Sequence, residues 1–328
     1  MLYNFVTIGG ATEDFTFLTK EGTLIDNPDN VLHPHLLAFD YGQKMKIDHS
    51  SSTFGGGAAN AAVCMARLGL NVTAIVSIGM DSRGDGIIKN FQKNKVGINL
   101  VQRHKDIETG FSFLLEGQGN EHIVFSNRAA NSALAISAGQ YRMIRQMAWI
   151  YISSLSGKWE NVLDSVFKSK VKIAWNPGHI QINSGYKVLS KYLEKTAVLC
   201  LNLEEATELV YSSGLYKKQN KAYFDDIQNL LKAIKSWGVE IVLITRGGDG
   251  ADAYDGENFY HQGIIKEGKK INTTGAGDAF GASFVAGLKM FKGDIQKAMW
   301  LGAKNTSSIV SHHGAQTGLL TKKEILKK

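Results

Sequence analysis

Ile271-Asn272-Thr273-Thr274-Gly275-Ala276-Gly277-Asp278-Ala279-Phe280 is the stretch on which the reading of this chain turns. It runs into Ala279–Met290, a helical pattern whose small residues (Gly281, Ala282, Ala286, Gly287) let a helix lie close to a sheet. Gly275, Ala276 and Gly277 therefore sit at a helix mouth, where unpaired N–H groups meet the positive end of the dipole and no bulky side chain blocks approach. Such a mouth suits a phosphate, above all one whose charge is being redistributed. Asp278 lies on the first turn and projects toward the same point. A carboxylate beside an anion has a reason to be there if it accepts a proton from a hydroxyl attacking phosphorus. Two other readings fit the bare pattern. One is a helix N-terminus with a stabilising acidic first turn. The other is a dinucleotide fingerprint, with Gly275, Gly277 and Gly281 as its glycines and Asp294 as the ribose-binding acid. The approach Gly268–Thr274 is polar and not an apolar strand, which weighs against the fingerprint. No G-x-x-x-x-G-K-[ST] occurs, so the chain is not a P-loop NTPase.

Outward from this segment, short apolar or β-branched runs at Val72–Ile78, Trp149–Ser153, Val171–Trp175, Ala197–Leu201 and Ile241–Thr245 read as buried strands. Helical patterns follow at Ala58–Leu68, closed by Gly69, and at Asp225–Trp237, closed by Gly238. Alternating strands and helices predict an α/β fold with a mainly parallel sheet. Residues 12–52 and 106–126 instead alternate apolar and polar, with a turn at Gly117–Asn120, and predict a small β appendage. A further hairpin is expected at Ala251–Tyr260, pivoting on Asp255-Gly256.

With 44% apolar and 20% charged residues, the 328-residue chain has an ordinary globular composition, which excludes wholesale disorder. The two cysteines, Cys64 and Cys200, both sit in apolar runs, which excludes a disulfide scaffold and fits a reducing cytoplasm. MLYNFVTIGG lacks a basic leader and no apolar run nears the ~18 residues of a bilayer span, so neither signal peptide nor membrane partner is expected. The net charge of +7 is dispersed, unlike the basic stripe of a nucleic-acid binder, and gives a mild attraction for anions.

Other motifs recur at element ends. Phe54-Gly55-Gly56-Gly57-Ala58-Ala59-Asn60 again places glycines before a helix, with an amide able to donate to and accept from hydroxyls. Ile8-Gly9-Gly10 ends the first strand and precedes Asp14, a carboxylate suited to adjacent hydroxyls. Asn202 and Glu205 follow another strand, and Thr245-Arg246-Gly247-Gly248-Asp249-Gly250 closes the next in a glycine turn bearing a cation.

Together these segments, above all GGGAANAAVCMARLG (55–69) and NTTGAGDAF (272–280), resemble the ribokinase-like (PfkB) carbohydrate and nucleoside kinases over essentially the whole chain. The resemblance implies one three-layer α/β/α kinase domain over 1–328, its β lid built from about 12–52 and 106–126. It implies ATP-dependent transfer of the γ-phosphoryl group to a hydroxyl of a small sugar or nucleoside. By the same resemblance Gly275, Ala276 and Gly277 form the anion hole and Asp278 is the base. Asp14, Gly56 and Asn60 hold the acceptor's hydroxyls. Thr245, Arg246, Gly247 and Gly250 hold nucleotide phosphates, and Asn202 and Glu205 organise the water shell of Mg²⁺. Gly79-Met80-Asp81 and Gly84 match a loop of structural role, and lid edges pairing between subunits imply a homodimer. One departure is Asn272, where the family usually has Asp; losing that charge weakens a site for an activating monovalent cation, so strong K⁺ activation is not expected.

Some signals are set aside. His33, His35, His312 and His313 lack cysteine or carboxylate partners at metal-ligand spacing. The last two precede Gly314-Ala315 and are read as bordering the adenine pocket. Arg128 reads first as a solvated loop cation and second as a partner for an acidic or phosphorylated sugar. Which sugar, sugar acid or nucleoside is the acceptor stays open. A nicotinamide-dependent oxidoreductase and a non-catalytic sugar- or nucleotide-binding relative are the competing classes; Asp278 argues against the latter.

Overall fold

The computed structural model describes residues 3–27, 35–116, 122–266, 268 and 271–326. Its strands are β1 Phe5–Ile8, β2 Thr12–Leu18, β3 Thr23–Asp26, β4 His35–Ala38, β5 His49–Gly55, β6 Val72–Ile75, β7 Ser77–Gly79 and β8 Gln102–His104. They continue with β9 Phe111–Glu116, β10 His122–Asn127, β11 Trp149–Ile152, β12 Lys172–Trp175, β13 Val198–Asn202, β14 Ile241–Thr245, β15 Ala251–Tyr254 and β16 Phe259–Gln262. The helices are α1 Gly57–Arg67, α2 Ser82–Lys93, α3 Ala138–Ile144, α4 Trp159–Val166, α5 His179–Asn183 and α6 Tyr186–Leu193. After them come α7 Leu203–Ser212, α8 Lys221–Asp225, α9 Ile227–Lys235, α10 Ala276–Met290, α11 Ile295–Ile309 and α12 Lys322–Ile325.

Eight strands form the main sheet in the order β16-β15-β14-β13-β12-β11-β1-β6. Strands β14 through β6 in that order run parallel, and β15 and β16 are added antiparallel through the expected hairpin. The period-two alternation of each buried strand divides the core. Tyr151, Ala174, Val198, Cys200 and Leu243 face α1, α10 and α11. Ile150, Ile152, Ile173, Trp175, Leu199 and Leu201 face α4, α6, α7 and α9. Small residues let α10 lie on the first face as expected: a Cβ on Gly281 would stand 2.7 Å from the Tyr151 hydroxyl.

Three expectations are corrected. The run Val72–Ile78 is two strands: β6 joins the main sheet as far as the end of β1, whereas β7 pairs with β8, and the Val76 carbonyl between them already accepts from Gln102 N–H at 2.9 Å. The helix expected at Asp225–Trp237 breaks at Asp226, whose extended backbone ends α8 and whose carboxylate caps α9 by accepting from Gln228 N–H. Helix α10 starts at Ala276, ahead of Ala279. Asp294 caps α11 by accepting from Lys297 N–H, so it is no strand-end ribose ligand.

The β appendage is a four-stranded sheet, β10-β9-β2-β5, in which β2 pairs with β9 in parallel and the other pairings are antiparallel. It ends at Gly55 and Asn127, and residues 106–110 lie outside its strands. The turn expected at Gly117–Asn120, like His33, falls outside the described residues. Asp14 pairs with Ser112 and Phe15 with Phe113, so Asp14 shares one face with Ser112, Leu114 and Val124 while the aromatic rings line the other. Among the described residues no helix is long and apolar enough to cross a membrane.

Candidate active site

Gly9, Asn176, Asn202 and Thr245 all lie at or just beyond the carboxyl ends of parallel strands, the edge where open α/β sheets place their ligand crevice. Two cavities open there, of about 210 Å³ and about 240 Å³. Asp278 lines both.

The first cavity is built around the loop after β1. Gly56 adopts φ +88°, and a Cβ there would lie 2.6 Å from backbone atoms of Gly10 and Ala11, so two stretches of main chain cross at a distance that only glycine allows. The crossing is pinned by Asn131, a buried residue that the motif reading missed. Its Oδ1 accepts from Ala11 N–H at 2.9 Å and its Nδ2 donates to the Ala11 carbonyl at 3.0 Å. Asp14, Gly56, Asn60 and Asp278 all border this cavity, with Ser154 and Ser156 adding hydroxyls. Thr12 Oγ1 donates to Asp14 Oδ1 at 3.0 Å. Burial raises the Asp14 pKa; hydrogen bonds from Thr12 and Ser112 and the charge of Arg128 oppose the rise. Arg128 is solvent-exposed, as expected of a loop cation, yet it also lines the cavity. Ala315 borders this first cavity too.

Asp278 is held from far away in the chain. Asn60 Nδ2 donates to its Oδ2 at 2.8 Å, and among the described residues no donor reaches Oδ1. Protein packed around the carboxylate raises its pKa, the Asn60 hydrogen bond lowers it and the charge of Asp14 raises it. At the helix mouth Gly275 takes φ +78°, and a Cβ there would collide with Ala315. The Ala276 N–H donates to the Thr273 carbonyl at 3.1 Å, so that donor is already used. Among the described residues the N–H groups of Gly275 and Gly277 have no acceptor. Asn272 Oδ1 accepts from Thr274 N–H at 2.6 Å, shaping the approach to the mouth.

The second cavity holds Asn202, Glu205, Thr245, Gly277 and Asp278, together with Asn176, which the motif reading also missed. Asn202 and Glu205 form a capping box on α7: Asn202 Oδ1 accepts from Glu205 N–H at 2.7 Å and Glu205 Oε2 accepts from Asn202 N–H at 2.9 Å. Burial raises the Glu205 pKa, the hydrogen bond from Asn202 N–H opposes the rise, and the neighbouring charges of Glu204 and Asp278 add to it. Two carboxylates thus share one cavity. A hard dication bound through water would offset their repulsion, so Glu205, beside Asn202, fits Mg²⁺. The Thr245–Gly250 turn closes through Arg246 N–H donating to the Gly250 carbonyl at 2.7 Å. Arg246 Nε donates to Asp252 Oδ2 at 2.6 Å, so part of its charge is compensated within the protein; its terminal nitrogens have no partner among the described residues. Asp81, on the loop read as structural, accepts from Gly84 N–H and from Thr109.

The sequence profile of the pfkB family carbohydrate kinases matches residues 28–322. An ATP-dependent 6-phosphofructokinase of Thermoanaerobacterium thermosaccharolyticum is 25% identical over 280 residues, 81% of this chain and 82% of that protein. A ribokinase of Staphylococcus aureus is 25% identical over 323 residues, 98% of both chains. The structure of a Methanocaldococcus jannaschii nucleoside kinase, a member of the ribokinase family, superposes with a TM-score of 0.77 at 22% identity, covering 98% of this chain and 97% of that one.

Proposed function

The chain belongs to the pfkB family of carbohydrate kinases, and from that premise we propose that it transfers the γ-phosphoryl group of ATP to a hydroxyl of a small sugar or nucleoside bound in the first cavity. It is a phosphotransferase with an alcohol acceptor. The observation that carries the finer reading is the place of Asp278, lining the polar cavity of Asp14 and Asn60 on one side and that of Glu205, Thr245 and Gly277 on the other.

In this reading Asp14, Gly56 and Asn60 fix the acceptor, with its reacting hydroxyl at Asp278 Oδ1. The hydroxyl oxygen forms a bond to the γ-phosphorus as the bond to the bridging oxygen of ADP breaks, and the proton passes to Oδ1. Gly275 and Gly277 supply N–H donors to the migrating group, while Ala276 contributes a small side chain that keeps the mouth open. Thr245, Arg246, Gly247 and Gly250 hold the phosphates of the nucleotide. Mg²⁺, held through water by Asn202 and Glu205, would neutralise phosphate charge when bound. The β10-β9-β2-β5 sheet acts as a lid that excludes water from the acceptor.

ADP release from MgATP, followed across sugars, sugar acids, sugar phosphates and nucleosides, tests this reading. One acceptor class should release ADP at a rate well above background. ADP release that no acceptor stimulates would overturn the proposal. Because Asn272 replaces a charged residue, rates in K⁺ and in a bulky organic cation should agree. The aromatic face of the lid leaves Phe113 38% and Phe125 57% exposed, and we assign it to pairing between two lids. Light scattering should therefore give twice the mass of the 35.9 kDa chain.

A further inference from the structure

Four side-chain amides connect the outside of α2 to Asp278. Asn94 Nδ2 donates to Asn90 Oδ1 at 3.1 Å and Asn90 Nδ2 to Gln316 Oε1 at 2.7 Å. Gln316 Nε2 donates to Asn60 Oδ1 at 2.9 Å, and Asn60 Nδ2 to Asp278 Oδ2 at 2.8 Å. Every donation points the same way and the series ends on the carboxylate. An amide has a donor end and an acceptor end of nearly equal size, so its orientation is set only by its partners. A reversed Asn60 would press its carbonyl oxygen on Asp278 and its N–H groups on those of Gln316. Aligned hydrogen bonds also polarise one another in a low-dielectric interior.

We propose that Gln316 is a positioning residue: it dictates which end of the Asn60 amide meets Asp278, and is itself oriented by Asn90. No motif reading singled out Gln316, because it lies in the loop after α11 and reaches Asn60 across 256 residues of sequence. The inference rests on the reading of Asp278 as the base. The titratable groups facing Asp278 are Asp14 on β2, Glu205 on α7, Tyr151 on β11 and Cys64 on α1. None of them is a cation, so the Asn60 donor is the contact that favours the ionised form of Asp278.

The test is a ¹³C NMR titration of the Asp278 carboxyl in the ligand-free protein, with Asp278→Asn used to assign the signal. Gln316→Leu leaves the Asn60 amide unoriented, which weakens its donation to Asp278, and should make Asp278 a weaker acid by at most about tenfold, the scale of losing one hydrogen bond to a charge outright. Asn90→Leu, at a half-buried helix position, can no longer donate to Gln316 and adds no charge. It should leave the Gln316 amide unoriented and shift the titration in the same direction, which keeps the proposal testable if Gln316→Leu fails to fold. An unmoved Asp278 titration in the folded variants overturns the relay. The acid limb of the kcat–pH profile should rise by the same factor. A shifted titration with an unshifted kinetic limb keeps the relay and overturns the assignment of Asp278 as base.

Discussion

Replacing Asp278 by asparagine is expected to lower kcat about a thousandfold, within the ~10²–10⁴ range of a positioned general base, while the KM for acceptor and nucleotide stays near that of the unaltered protein. Asparagine has the shape of aspartate and can still accept from Asn60 through its carbonyl oxygen, so both cavities keep their walls. It cannot take the hydroxyl proton. The substitution also removes a negative charge that Asp14 and Glu205 oppose, so the melting temperature should not fall. The measurement is steady-state kinetics at saturating acceptor, alongside a thermal melt. A variant that turns over at near-normal rate would exclude Asp278 as the base.

Gly277→Ala is expected to move stability and activity in opposite directions. Gly277 is not among the residues with positive φ, and a Cβ built on it meets no atom within 4 Å. It lies inside α10, where alanine is favoured over glycine by up to ~1 kcal/mol. The fold therefore gives no reason for glycine there. The second cavity does, because the added methyl would occupy space beside the N–H that we assign to the phosphoryl group. Turnover should fall on the order of 10²-fold, the scale of losing one donor at a developing negative charge. Gly275→Ala is the matching control. Its φ of +78° and the collision with Ala315 should lower stability as well as turnover. A Gly277→Ala protein with unimpaired turnover would mean that the helix mouth does not cradle phosphate.

Much of the architecture could be read from residues near one another in the chain. Runs such as Ile241–Thr245 state their own strand by composition, and Gly69 and Gly238 mark where α1 and α9 give out. The glycines at 56 and 275 announce sites of close approach, because a missing side chain is a local fact. Boundaries were less legible. An apolar run does not reveal that β6 and β7 belong to different sheets, since Val76 simply continues Ala74-Ile75. Asp226 looks like one more helical residue until its carboxylate is seen capping α9.

The site divides along the same line. Residue type and spacing were enough to nominate Asp14, Asn60, Glu205 and Asp278, because a carboxylate or an amide beside glycines at an element end carries its chemistry in its identity. Their meeting was not legible. Asn60 reaches Asp278 across 218 residues, and Asn131 reaches Ala11 across 120. Periodicity and propensity act over a turn or two of chain. Hydrogen bonds between distant residues form only once these elements have been packed onto one face of the sheet, and they depend on the ångström-scale registration of α1, α10 and the loop bearing Gln316. That registration is a property of the assembled core, and no short window of residues contains it.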